Sequence, residues 1–266
     1  MADPTSCPHL PPELEQEIFL LAFRNDYRDA INLVQIAKRV FDWLIPSVLH
    51  VVQFGAIQPA PITFNKSVYE RYGHHVRHLF LESLEPDDVR TYLRLFPNVT
   101  NLAVWSDRSQ SDIPDLLQLP LNLTCLSIRP PHKLFPPFSR LTHLHFQFNF
   151  PMYATENNTQ VPYHELLEPV LYLPNLTHLG MVPTFSERTI ELFLERKRCP
   201  ELRVLMVIWR PSEGGSAKLD DLAPVLVADP RILNIKCDAK WDWEVGARGG
   251  KDMWEFADEV LASREH

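Results

Sequence analysis

The strongest constraint on this chain is a six-residue apolar pattern that keeps returning. An apolar residue is followed by two spacers, a second apolar residue, one spacer and a third. It stands at Leu176-Thr177-His178-Leu179-Gly180-Met181 and, in the same register, at residues 76–81, 99–104, 123–128, 141–146 and 202–207, with a weaker copy at 232–237. Pro97, Pro174, Pro200 and Pro230 each stand two residues before a copy. Side chains alternate between the faces of a strand, so positions four and six of every copy share one face. A pattern repeated at intervals of tens of residues marks stacked units, none of which buries its apolar face alone. The expected fold class is α/β: a solenoid with a parallel sheet on one face and helices or extended loops on the other. Leu79, Leu102, Leu126, Leu144, Leu179, Leu205 and Ile235 are its expected central spine.

Composition narrows the function classes. A chain of 266 residues buries roughly 70–75% of its unfolded surface and needs no disulfide or metal for stability. Cys7, Cys125, Cys199 and Cys237 lie far apart without CxxC spacing, which reads as reduced thiols. No secretory leader and no membrane-spanning run is visible, so the expected location is cytoplasmic or nuclear, with no membrane partner. Asn98-Val99-Thr100, Asn122-Leu123-Thr124 and Asn175-Leu176-Thr177 match glycosylation acceptors, but asparagine in the turn before a strand explains them. A net charge of −8 argues against nucleic acid as partner. With 24 prolines and only 8 glycines, the chain suits short strands joined by stiff corners and not loops that cradle phosphate.

Before the repeats, residues 1–9 read as a disordered lead. Residues 10–21 read as a helix, with prolines in its first turn and acidic residues at 13, 15 and 17 suited to the helix dipole. Leu14, Ile18 and Leu21 fall on one stripe. A second helix is expected over 29–44, ended or bent by Pro46, and residues 49–54 fit a first, capping strand. Residues 55–75 form a connection with one helical turn. The repeats fill 76–240. A helix with Val89, Tyr92, Leu93 and Phe96 occupies the first gap, and extended proline-rich chain occupies 130–137. An insertion covers 149–161, with a helix at 165–172. Ser186 caps a helix bearing Ile190, Phe193 and Leu194, and Leu219, Leu222 and Leu226 suggest another. Residues 241–266 form a C-terminal cap, with a helix over 251–263 that presents Trp254, Ala257 and Leu261 and hides the open end of the core.

The run Leu10-Pro11-Pro12-Glu13-Leu14, followed by Ile18-Phe19, resembles the opening of an F-box. Residues 34–45, with Ala37-Lys38-Arg39 and Trp43-Leu44-Ile45, resemble its later helix, although Val40 stands where that family usually has tryptophan and the unit is short. An F-box-like unit over 10–54 followed by irregular leucine-rich repeats is similar to the F-box-like proteins of mushroom-forming fungi. The resemblance implies docking on the Skp-type adaptor of a cullin–RING ubiquitin ligase through Pro11, Leu14, Ile18 and Phe19. The repeats would then hold a protein substrate.

Positions three, five and seven of the copies line the other sheet face. That face is expected to be exposed and to bind a partner through Phe80, Trp105, Arg129, His143, His145, His178 and Met206, with Trp105 and Arg129 as leading anchors. Cover by the 149–161 insertion or by the C-terminal tail is the alternative. The same face offers an enzymatic or small-molecule reading at Cys125, His143, His145 and His178, where three imidazoles are candidate zinc ligands. No catalytic motif supports it. The 246–251 glycine-rich stretch has the wrong spacing for a phosphate loop, and Asp252 follows its lysine. The expectation is therefore a non-enzymatic interaction module without catalytic, metal or cofactor residues. A scaffold without adaptor binding is the further alternative.

Overall fold

The computed structural model describes residues 10–25, 30–55, 64–105, 122–128, 138–147, 170, 173–181, 187–195, 199–209 and 229–264. The expected lead at 1–9, the proline-rich stretch at 130–137, the insertion at 149–161, Ser186 and the leucines at 219, 222 and 226 lie outside them. So does almost all of the 165–172 helix.

Among the described residues, eight strands form one open, parallel sheet in chain order. They are β1 (Val51–Gly55), β2 (His78–Glu82), β3 (Asn101–Trp105), β4 (Cys125–Ile128), β5 (His143–Phe146), β6 (His178–Met181), β7 (Val204–Trp209) and β8 (Ile232–Lys236). Leu79, Leu102, Leu126, Leu144, Leu179 and Leu205 pair across successive strands in a single row. A second row runs Leu81, Val104, Ile128, Phe146, Met181 and Val207. Both rows, and the position-one residues Val76, Val99, Leu123, Leu141, Leu176 and Leu202, are buried in the principal core. Helices α5 (Pro86–Leu95) and α6 (Glu187–Leu194) cover this side, bringing Val89, Leu93, Ile190 and Phe193 into the same cluster.

The weak last copy does not stack as expected. Leu205 pairs with Ile232, and Ile235 pairs with Ile208. The turn formed by Asp229, whose carboxylate accepts from the Arg231 guanidinium at 2.8 Å, starts β8 at Ile232. A slip of three residues is odd, so it exchanges faces. Leu233 and Ile235 therefore point away from the principal core and join Val204, Met206 and Ile208.

A threonine ladder holds the register, and the apolar pattern alone does not reveal it. Thr124 Oγ1 donates to the Thr100 carbonyl at 3.2 Å, Thr142 Oγ1 to Thr124 at 3.0 Å, and Thr177 Oγ1 to Thr142 at 3.1 Å. Each of those carbonyls also accepts two backbone N–H groups from the next strand. Asn98 and Asn175 sit in the preceding turns, where their side-chain amides donate to the carbonyls of His74 and Ser139.

The N-terminal unit comprises α1 (Pro12–Asn25), α2 (Ala30–Val34) and α3 (Lys38–Val48). The single helix expected over 29–44 is broken because Ala37 is extended, at φ −157 and ψ 151. Pro46 lies inside α3 and does not end it. Val34, Val40, Leu44 and Val48 make a small core with Phe19, Leu20 and Phe23. From the other side of α3, Ile45 joins the principal core. This one helix thus carries the N-terminal unit and closes the first end of the sheet. Helix α4 (Lys66–Tyr72) follows, capped by Asn65, whose side chain accepts from the Val68 N–H.

The C-terminal segment departs most from expectation. Helices α7 (Ala239–Ala247) and α8 (Met253–Arg264) lie on the second sheet face and not over its end. Lys240 Nζ meets Glu82 Oε2 at 2.6 Å, joining the segment after β8 to the end of β2. The segment thus crosses the second sheet face, from β7 and β8 to β2 and β3. With helices stacked on the first face, small rotations between successive units make this second face the concave one.

Replacing Thr142 by valine keeps the shape and removes one rung of the ladder. We expect a loss of about 1 kcal/mol in urea denaturation, with Thr142→Ser close to wild type. Equal stability of Thr142→Val and wild type would count against the ladder.

Candidate functional site

Two surfaces are candidates for a site: the outward stripe of α1 and the concave sheet face. Leu14, Ile18 and Leu21 on α1, and Leu10 just before it, recur at spacings of four, four and three, and each keeps 50–54% of its surface exposed. Pro11 is exposed beside them. Phe19 stands apart from the rest of the expected docking set, because it is partly buried. It turns inward with Leu20 and Phe23 against Val40 and Leu44. Helix α1 therefore has two apolar faces, one packed on α3 and one open.

The concave face is not exposed: of the two expected alternatives, cover by the C-terminal tail is found and the open partner-binding face is not. Phe80, Trp105, His145, His178 and Met206 are all buried, and His143 is partly so. Arg129 lies outside the described residues. The physical reason is that positions three, five and seven carry too much apolar surface to face water, and α7 and α8 cover it. At one end, Trp243 packs with Phe80, Trp105, Val51 and Ala103. Its ring lies 5.2 Å from Phe80, and its Nε1–H donates to Asn101 Oδ1 at 2.8 Å. Lys240 Nζ lies 5.2 Å from the centroid of the Phe80 ring while paired with Glu82. At the other end, Met253, Trp254 and Ala257 pack on Val204, Met206 and Ile208. Gly180 makes room there: a Cβ on it would stand 2.9 Å from Ile208 Cδ1 and 3.4 Å from Trp254 Cη2. A glycine within a strand here marks close approach of another element.

Between these apolar ends lies a polar centre. Trp105 Nε1–H donates to Ser127 Oγ at 2.9 Å, and that oxygen is 2.9 Å from His145 Nδ1. His143 and His178 stack, with centroids 4.3 Å apart and planes at 13°. Trp254 meets both edge-on, and Asp258 Oδ1 lies 3.2 Å from His178 Nε2.

These contacts decide what the face can do chemically. Stacked imidazoles hold their nitrogens in parallel planes, not aimed at one point, and His145 pairs with Gly180 in a different row. Among the described residues no three His, Cys, Asp or Glu side chains are placed to hold a metal ion. Burial, assisted by the nearby Asp252 charge, pushes the Cys125 thiol up to about 12. It is therefore protonated at neutral pH and is a poor nucleophile. Cys125 and Cys237 are free thiols. Among the described residues no helix is long and apolar enough to cross a membrane.

Sequence reasoning found the tryptophans but not their destination. Trp243 and Lys240 are contact residues of this face that it did not name, and it placed Trp254 over the end of the core. The available signal was that 239–264 has apolar residues on several sides of its helices, as a segment packed against a broad apolar face requires. Comparison with protein-family models gave no match, and comparison with curated proteins gave none either.

The buried histidines make acid destabilising. His143 and His78 are pushed down to about 4, chiefly by burial and then by the neighbouring histidine. His178 is also lowered, because burial outweighs Asp258. The unfolded chain binds these protons from about pH 6.5 downward, so the stability is full above that pH and is lost as pH falls towards 4. Asp242, raised to about 6 by burial, acts in the opposite direction but is outnumbered. We expect a loss on the order of 3 kcal/mol between about pH 7 and pH 4.5 by urea denaturation, with a shallower slope in His143→Gln. An unchanged slope in that variant would contradict the assignment.

Proposed function

We propose that this chain is a non-enzymatic recognition subunit. An F-box-like unit over 10–54 docks on the Skp-type adaptor of a cullin–RING ubiquitin ligase, and a leucine-rich-repeat-like solenoid receives a protein target. The protein works in the cytoplasm or nucleus, where thiols remain reduced. The observation that carries the reading is the open stripe of Leu10, just before α1, and Leu14, Ile18 and Leu21 on that helix, whose other apolar face is already satisfied. Contiguous apolar surface of this kind marks an interaction site, and an amphipathic helix offering anchors at three- and four-residue spacing is a recurrent way to fill a partner's groove. The revised docking set is Leu10, Pro11, Leu14, Ile18 and Leu21, without Phe19. Strand order equal to chain order supports the solenoid part.

Burying each half-exposed leucine or isoleucine contributes about 1 kcal/mol or slightly more. A pull-down with purified Skp-type adaptor is therefore expected to recover wild type and to recover Leu14→Ala/Ile18→Ala at roughly 30-fold weaker affinity. Because both residues face water, the variant should unfold at the same urea concentration as wild type. Failure of folded wild type to bind any adaptor would remove the ligase role.

A further inference from the structure

We propose that the concave sheet face is a receptor groove for a helix of a partner protein, and that α7 is the intramolecular stand-in for that helix. The inference rests on the proposed target-binding role of the repeats but not on adaptor docking. The groove has three parts. Phe80, Trp105, Val51 and Ala103 make an aromatic-lined socket, which Trp243 fills. Asn101 Oδ1 accepts the indole N–H at 2.8 Å. Glu82 supplies a carboxylate that meets Lys240 at 2.6 Å. Small residues, Ala239 and Ala247, let the helix backbone approach. The helix that fits carries a lysine, a tryptophan three residues later, and small residues one before the lysine and four after the tryptophan.

Three observations distinguish a removable occupant from a fixed wall. The principal core contains no residue of α7 or α8, so exchanging the segment for a partner helix leaves that core's own contacts in place. Separate, smaller clusters hold the two helices. The segment also starts beyond β8 yet seats its tryptophan and lysine on β2 and β3, at the opposite part of the sheet. Finally, Trp241 and Phe256 project from its outer side into water, as a partner displacing the segment would require for first contact. Tethering gives the segment an effective concentration on the order of millimolar. It therefore masks the groove from ligands of micromolar affinity and yields to a better-matched helix.

The test uses the full chain and a fluorescein-labelled synthetic peptide of residues 238–264. Binding is measured by anisotropy to wild type, Lys240→Glu and Trp243→Ser. Both variants should bind at least ten-fold more tightly than wild type, because the internal copy is loosened. A peptide carrying both changes itself should lose binding. Lys240 is a partly exposed side chain, so Lys240→Glu keeps the test decisive should Trp243→Ser fail to fold. Equal affinity of wild type and Lys240→Glu, or binding by neither, would overturn the proposal. A doubled mass of wild type in light scattering, abolished in Lys240→Glu, would assign the groove to the helices of a second copy and also overturn it. No adaptor is present, so this outcome is separate from that of the docking experiment.

Discussion

Parallel pairing in strict register governs this molecule, because it fixes which side chains look at which face. Once Leu102 stands opposite Leu79 and Leu126, every neighbour along those strands is assigned. The threonine ladder gives the register a polar lock at the entry to the strands, where hydroxyls and two backbone N–H groups converge on one carbonyl. A slipped strand would break these paired contacts together. Apolar stacking and backbone satisfaction thus favour the same arrangement.

The register has a second consequence. Facing the leucine row away leaves Phe80, Trp105, Met206 and Ile208 together on the concave side, and that surface must also leave water. The C-terminal helices perform this task with two tryptophans, one at each end. Between them, Ser127, His145 and His178 are buried and His143 partly so, each with a polar partner. A face required only to close the structure would be simpler as a continuous apolar surface. The ion pair between Lys240 and Glu82 and the indole bond to Asn101 add direction to a contact that apolar burial alone leaves loosely specified.

Much of the sheet was legible in the residues because its signal is local and repeated. Position, spacing and chain order of the strands all follow from the apolar pattern. What escaped was non-local. Thr100, Thr124, Thr142 and Thr177 read as spacers until the strands stand side by side. The 232–237 copy matches the pattern weakly, and the Asp229 turn, not the pattern, determines its phase. Phe19 and Ile18 are adjacent apolar residues of one helix, and only the position of α3 shows which one is enclosed. The destination of Trp243 depends on sheet curvature, which no single strand encodes. Cover by the tail, weighed against an open face, could not be settled from alternation alone, since both give the same sequence.

The central claim is that a segment near the C-terminus lies across the concave face and reaches β2. Zero-length carbodiimide cross-linking of the native chain, followed by peptide mass spectrometry, measures it directly. Lys240 and Glu82 are 2.6 Å apart across 158 positions of sequence, and an intramolecular amide between them is the expected product. Lys251 and Glu259, paired within the cover itself, provide the internal control. Recovering the Lys251–Glu259 link without any Lys240–Glu82 link would contradict the account.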